Sequence, residues 1–398
     1  MNDLLELAIL LLFGLYAAKG AKVLRTPQVV GYVLAGVILG PSVIGLLSLE
    51  GSLRYDIVTS VTLGIIGFVV GSELAARNLR GLGRAIAWIV PLEAGLALLL
   101  VSLGTYALTH NAPLSILLGA LASATAPAGT VDVLQEYKAK GPVTTTLYAV
   151  VGLDDAFSLI SYGFCLPLAK LFISGEPISL QGVLLNPLRE IALAIALGGA
   201  AGVMVILPVR WLRHRNELLA FTLGALLLIS GLAVKFHLSL ILATMSMGVT
   251  MVNLRYTMCR RMIGVLNDFD PPIYVLFFVL VGGRLDISLL PKMGLVGLAY
   301  IVLRESGKYL GTYLGATIGK ADPKVRKYAG LGLFSQAGVT IGLALSIYHE
   351  LIQAGSQNAE LGKYVIMVIT ATTFVVQIVG APFVKLAIVK AGEVGKTR

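Results

Sequence analysis

The sequence predicts an all-α polytopic membrane protein of about thirteen transmembrane helices, and three observations carry that prediction. Of its 398 residues, 57% are hydrophobic and only 13% charged, with a mean hydropathy of +0.88, outside the range of soluble globular domains. Apolar runs long enough to cross a bilayer follow one another along the chain, each closed by charge or by a Gly/Pro turn. Lysine and arginine recur in every second loop between those runs, an alternation that a missed or invented helix would scramble.

The candidate spans fall at 4–22, 27–47, 56–75, 85–108, 113–137, 143–173, 184–210, 218–234, 237–254, 271–283, 294–318, 327–350 and 363–389. One set of loops carries Lys19, Lys22 and Arg25; Arg77, Arg80 and Arg84; Lys138 and Lys140; Arg210, Arg213 and Arg215; Arg255, Arg260 and Arg261; and Lys320, Lys324, Arg326 and Lys327. The tail adds Lys390, Lys396 and Arg398, whereas the other loops hold only Arg54, Lys235, Arg284, Lys292 and Lys363. The expected protein is therefore a multi-pass one of the cell (inner) membrane, N-terminus outside and C-terminus cytoplasmic. Asp3 and Glu6, with no early Lys or Arg, mark span 1 as a retained helix rather than a signal peptide, and the chain is expected to be complete from Met1. The net charge of +10 does not point to nucleic acid, because the positive residues are dispersed among loops. Cys165 and Cys259 are too few and too far apart for a disulfide framework or a metal-binding CxxC.

Two spans are interrupted. Span 5 contains Thr125-Ala126-Pro127-Ala128-Gly129-Thr130, and span 12 contains Ser335-Gln336-Ala337-Gly338-Val339-Thr340. The two lie seven helices apart, so they cross in opposite directions, as inverted repeats of spans 1–6 and 8–13 joined by span 7 would require. Paired interruptions at matching positions point to a transport site, where unwound carbonyls coordinate a cation and half-helix ends set opposed dipoles near the midplane.

The intramembrane charges converge on the same region. Asp154 and Asp155 stand side by side in span 6, where each ionised carboxylate costs on the order of 3 kcal/mol. Adjacent helical residues point about 100° apart, so one can pair while the other faces water. Crowded, desolvated carboxylates let a proton compete with a metal ion. Lys308 in span 11 is the natural counter-charge, either a second proton carrier or half of a structural ion pair, although Glu305, three residues earlier and next to Arg304, is a rival partner. Asp132 and Glu93 are expected to line the cytoplasmic approach, Glu73 to pair with Arg77 at the interface, and Asp268 and Asp270 to cap the following helix. Gly307, Gly311, Gly315 and Gly319 read as a close helix-packing face. His110, His214, His237 and His349 sit at span ends, where ordinary interfacial residues are expected and a pH-sensing role is the alternative.

These residues carry a family resemblance. Val151-Gly152-Leu153-Asp154-Asp155 after Thr125-Ala126-Pro127, with Gly307-Lys308-Tyr309-Leu310-Gly311 before Gly332-Leu333-Phe334-Ser335-Gln336-Ala337-Gly338, resembles the monovalent cation/proton antiporters of the bacterial sodium/proton exchanger superfamily. Gln28-Val29-Val30-Gly31-Tyr32, Gly40-Pro41 and Gly71-Ser72-Glu73-Leu74 fit as well. The resemblance implies thirteen helices with two crossed discontinuous ones, and a core of 81–175 and 291–398. It also implies a dimerising scaffold of 1–80 and 216–290, a linker helix of 176–215, and elevator-type alternating access. It implies Asp155 as the main ligand of Na+ and of the proton, and Asp154 as the partner of Lys308. Thr125, Thr130, Asp132, Ser335, Gln336 and Glu305 are expected to support them. Paired aspartates with lysine imply electrogenic exchange; Arg304, Glu305 and Asp132 depart from the family's pattern.

The expected function is exchange of Na+, or of K+ or Li+, for H+, by a homodimer in the bilayer that needs no cofactor. A K+/H+ antiporter or gated K+ efflux system is the alternative, although such efflux systems carry Gln-Asp and a nucleotide-binding domain. A sodium-coupled organic-anion symporter fits less well, because two carboxylates repel an anion. No phosphate loop, metal cluster or nucleophile constellation suggests an enzyme.

Overall fold

The computed structural model describes residues 3–24, 26–41, 43–47, 54–76, 82–174, 185–267, 269–284, 287–336, 338–353 and 359–395. Arg25, Arg77, Arg80, Asp268, Ala337, Lys396 and Arg398, the side chains of Glu73, Gly338, Val339 and His349, and the first part of the 176–215 linker lie outside the described residues. The described chain folds as helices throughout. They are α1 (Asp3–Val23), α2 (Gln28–Leu39), α3 (Asp56–Glu73), α4 (Gly83–Thr109), α5 (Ala112–Ala122), α6 (Pro127–Glu136), α7 (Pro142–Ser174) and α8 (Asn186–Trp211). Then follow α9 (Arg215–Lys235), α10 (Leu240–Leu254), α11 (Tyr256–Leu266), α12 (Asp270–Gly283), α13 (Leu290–Ile318), α14 (Pro323–Tyr328), α15 (Gly338–Gln353) and α16 (Ala359–Ala391).

Seven of these segments are long and apolar enough to cross a membrane, α5 and α6 counted together, and α11 with α12 forms a pair bent by 64°. The long helix α13 misses that group because it carries Lys292, Arg304, Glu305 and Lys308. Backbone groups cannot go unpaired in hydrocarbon, which is why nearly every residue is helical. The outer faces are apolar too, with Met204, Leu207 and Trp211 of α8 and Leu12 and Tyr16 of α1 exposed.

Glycine sets how closely the helices approach. Along α13, Gly307, Gly311, Gly315 and Gly319 rest on the backbone of Ala97, Glu93, Ile89 and Ala85 of α4, so a Cβ at any of them would collide. The glycine face predicted from the sequence is therefore a real seam, and it builds one layer of the molecule. A second layer uses the same device twice: Gly36 and Gly282 join α2 to α12, and Gly71 and Gly248 join α3 to α10.

Three expected elements take a different form. Span 2 ends as a helix at Leu39, because Gly40 and Pro41 turn the chain. Arg255 leaves helical geometry after α10, and a separate, strongly amphipathic helix, α11, precedes span 10. Ahead of its break, span 12 holds only the last two residues of α14 and a 3-10 turn over Ala329–Leu333 rather than a regular helix.

Candidate functional site

The breaks predicted in spans 5 and 12 exist, and they touch. In span 5 the helix stops at Ala122 and restarts at Pro127, which needs no N–H at the first helical position. The break thus covers 123–126, a little before the Pro and Gly that signalled it. The Ala126 amide donates to the Ser335 carbonyl at 2.8 Å, and Thr130 Oγ1 to the Gly332 carbonyl at 3.0 Å. Each interruption therefore satisfies part of the other.

Two cations of α13 take up the carbonyl ends that remain. Arg304, fully buried, donates to the Ala124 carbonyl at 2.7 Å and to the Phe334 carbonyl at 2.9 Å, so one guanidinium fork closes both broken helices. Lys308 Nζ donates to the Ser123 carbonyl. The last carbonyls of a helix carry its negative dipole end, and a desolvated cation there is favourable on both sides. Gln336 Nε2 adds bonds to the Leu121 carbonyl and Tyr300 Oη.

Lys308 also meets two carboxylates, Glu93 at 2.8 Å and Asp154 at 3.2 Å, all three side chains being fully buried. Glu305, the rival partner on the same helix, instead binds Arg304 at 2.6 Å. The expectation that Glu93 lines the cytoplasmic approach fails, because the glycine seam seats Glu93 directly beneath Lys308. Asp270 does not cap α12: Phe269 is the N-cap, with no side-chain bond, and Asp270 Oδ1 has no hydrogen-bond partner among the described residues.

Asp155 is placed differently from its neighbour. It is 2% exposed, yet neither carboxylate oxygen has a hydrogen-bond partner among the described residues. Tyr148, Gly152 and Asp155 follow at i, i+4 and i+7 and share one face of α7. That face meets the second layer, since a Cβ on Gly152 would strike Met245 of α10 and Val70 of α3. Asp154 points away from that face, into the seam.

The profile of the transmembrane sodium/hydrogen exchangers matches residues 7–386. The chain belongs to the sodium/hydrogen exchanger family. The exchanger's fold is similar to that of the sodium proton antiporter MjNhaP1 from Methanocaldococcus jannaschii. The structure of that protein at pH 8 superposes with a TM-score of 0.69 at 22% identity, covering 99% of each chain. The structure of MjNhaP1 from an electron-microscopy map gives a TM-score of 0.77 at 19% identity over 98% of each chain. No curated protein sequence matches the chain.

Around the exchanger's two breaks, the sequence-predicted supporting residues are buried polar groups. Thr125 Oγ1, Ser335 Oγ and Gln336 Oε1 are oxygens without a hydrogen-bond partner among the described residues, as are Thr373 Oγ1 and Gln377 Oε1 of α16. A set of unpaired buried oxygens suits a hard cation or water. Asp132 is not brought to the aspartate pair; it lines a cleft farther along α6.

Glu393 was not anticipated. Gly392, at φ 73°, ends α16 in a left-handed turn, and the Glu393 amide reaches back to the Ile388 carbonyl. That turn sends the Glu393 carboxylate to the N-terminus of α7, where it accepts from the amides of Val143 at 2.8 Å and Thr144 at 2.7 Å. Gly141, at φ 155°, makes room for it, since a Cβ there would strike the carboxylate. The helix bearing both aspartates is thus capped by the chain's far end. Neither the turn at Gly392, beyond the expected span end at 389, nor its target some 250 residues away was read from the sequence.

Proposed function

We propose that the chain exchanges a monovalent cation, Na+ first among Na+, Li+ and K+, for protons, electrogenically, with Asp155 as the exchangeable ligand. The observation that carries this reading is the contrast at α7: Asp154 is held by Lys308, whereas Asp155 is buried with no hydrogen-bond donor among the described residues. A carboxylate in that position must hold a cation or a proton, and the two compete for the same oxygens. Lys308 releases its own proton when cation binding draws Asp154 away, which gives a second proton per cycle.

In this reading the chain crosses the membrane thirteen times, with the broken helices crossed. α4 to α7 and α13 to α16 form a core that moves as one body against a scaffold of α1 to α3 and α9 to α12, with α8 as linker and the scaffold as homodimer face. The Lys/Arg-rich loops mark the cytoplasmic side, and the cell membrane is the location. Support for a moving core comes from Arg304, which ties both breaks to one side chain.

The test uses purified protein in liposomes. Asp155→Asn abolishes Na+-driven proton movement, and survival of that movement would refute the proposal. Clamping the membrane potential raises the wild-type rate, whereas an unchanged rate would argue for electroneutral exchange.

A further inference from the structure

A cleft of about 510 Å³ opens on the side of the Lys/Arg-rich loops, between the core and the second layer. Its core wall carries Asp132 and Glu136 of α6 and Tyr148 of α7; its other wall carries Gln28 and Tyr32 of α2 and Asp270 and Tyr274 of α12. Asp270 and Tyr274 stand one helical turn apart, 5% and 6% exposed, so both are more than nine-tenths buried. Asp270 Oδ1 and Tyr274 Oη nevertheless have no hydrogen-bond partner among the described residues. Buried polar groups are almost always satisfied, so two unpaired oxygens on one cavity wall mark a place for a ligand. Basic groups are present as well, but Lys138 lies exposed beyond the end of α6, and Arg260 is engaged with Tyr256.

The cleft leads toward the aspartates. Tyr148, on its wall, lies seven residues before Asp155 on the same face of α7, a rise of about 10 Å. We infer that the cleft holds a second cation site, a cytoplasmic waystation where Asp270 and Tyr274, faced by Asp132, take up a partly hydrated monovalent cation before it reaches Asp155. The ligand is the monovalent cation of the proposed exchange, and it keeps part of its water for a geometric reason. Among the described residues, no three acidic or histidine side chains are close enough to enclose a stripped metal ion. A carboxylate, a phenol and a carboxylate across a wet cleft bind weakly enough to pass the ion on.

This inference rests on the exchanger reading, and its test separates the two. Tl+ serves as a dense monovalent probe in structures of Asp155→Asn protein. A Tl+ peak between Asp270 and Tyr274 in that variant, lost in Asp270→Asn, supports the waystation. No peak there in either variant overturns it, as does a peak that Asp270→Asn leaves in place. In oriented liposomes, Asp270→Asn and Tyr274→Phe each raise the Na+ KM severalfold from the cytoplasmic side, with kcat and the opposite-side KM unchanged. An unchanged cytoplasmic KM, or equal rises on both sides, also overturns it. Retained exchange by Asp155→Asn would instead refute the exchanger assignment of Asp155 and leave the Tl+ result standing.

Discussion

The seam between α4 and α13 and the seams of the second layer, α2 with α12 and α3 with α10, are built by the same device and carry different cargo. In all of them glycines bring backbones into contact. In the second layer that contact is apolar, with Val33, Phe68, Met245 and Val279 around it. In the α4 and α13 seam it encloses Glu93, Arg304 and Lys308, all fully buried. Close packing excludes water, so charges there must be paired by the protein itself. They pair with Asp154 and with the carbonyl ends of the two breaks. One seam therefore fixes shape, and the other fixes shape and charge together, so a defect in it reaches the ion site.

The largest expected effect comes from removing the charge that ties the breaks. Arg304→Ala strands two carbonyl ends and Glu305, lowering stability by about 3–5 kcal/mol and abolishing exchange; thermal unfolding in detergent and liposome transport read both. Arg304→Lys keeps the charge but loses the fork, so it recovers only part of the stability.

Glycine substitutions test the comparison directly. Gly311→Ala and Gly36→Ala each force backbones apart and cost about 1–3 kcal/mol. Only Gly311→Ala is expected to raise the cation KM of the surviving protein, because it shifts Glu93 under Lys308. Equal KM values for the two would show that the seams do not differ.

Glu93→Gln is milder. It leaves Asp154 as the one carboxylate on Lys308 and lowers the exchange rate on the order of tenfold, one buried charge-assisted contact, with the fold intact by circular dichroism. The smallest effect is that of Glu393→Ala, which removes a cap and costs about 1 kcal/mol. Hydrogen exchange is expected to quicken at the first turn of α7 and not at its centre.

Much of this was legible before any coordinates. Asp154, Asp155 and Lys308 stood out because charge is expensive in an apolar run, and the breaks stood out because Pro, Gly and hydroxyls are rare in mid-span. The two near Lys308 were harder. Glu305 was the nearer acid in sequence, and Glu93 belonged to a helix some 200 residues away. Only the depth of the glycine seam makes the distant one the closer.

The sequence by itself determined that the chain lies in a membrane, that two of its helices break and about where, and which residues bear intramembrane charge. These follow from composition and local pattern, which are properties of neighbours along the chain. The tertiary structure decided which carboxylates hold Lys308, that one arginine closes both breaks, that Glu393 caps α7, and that Asp155 alone of the pair has no donor among the described residues. Those are choices among partners of equal chemistry, and only distance across packed helices distinguishes them.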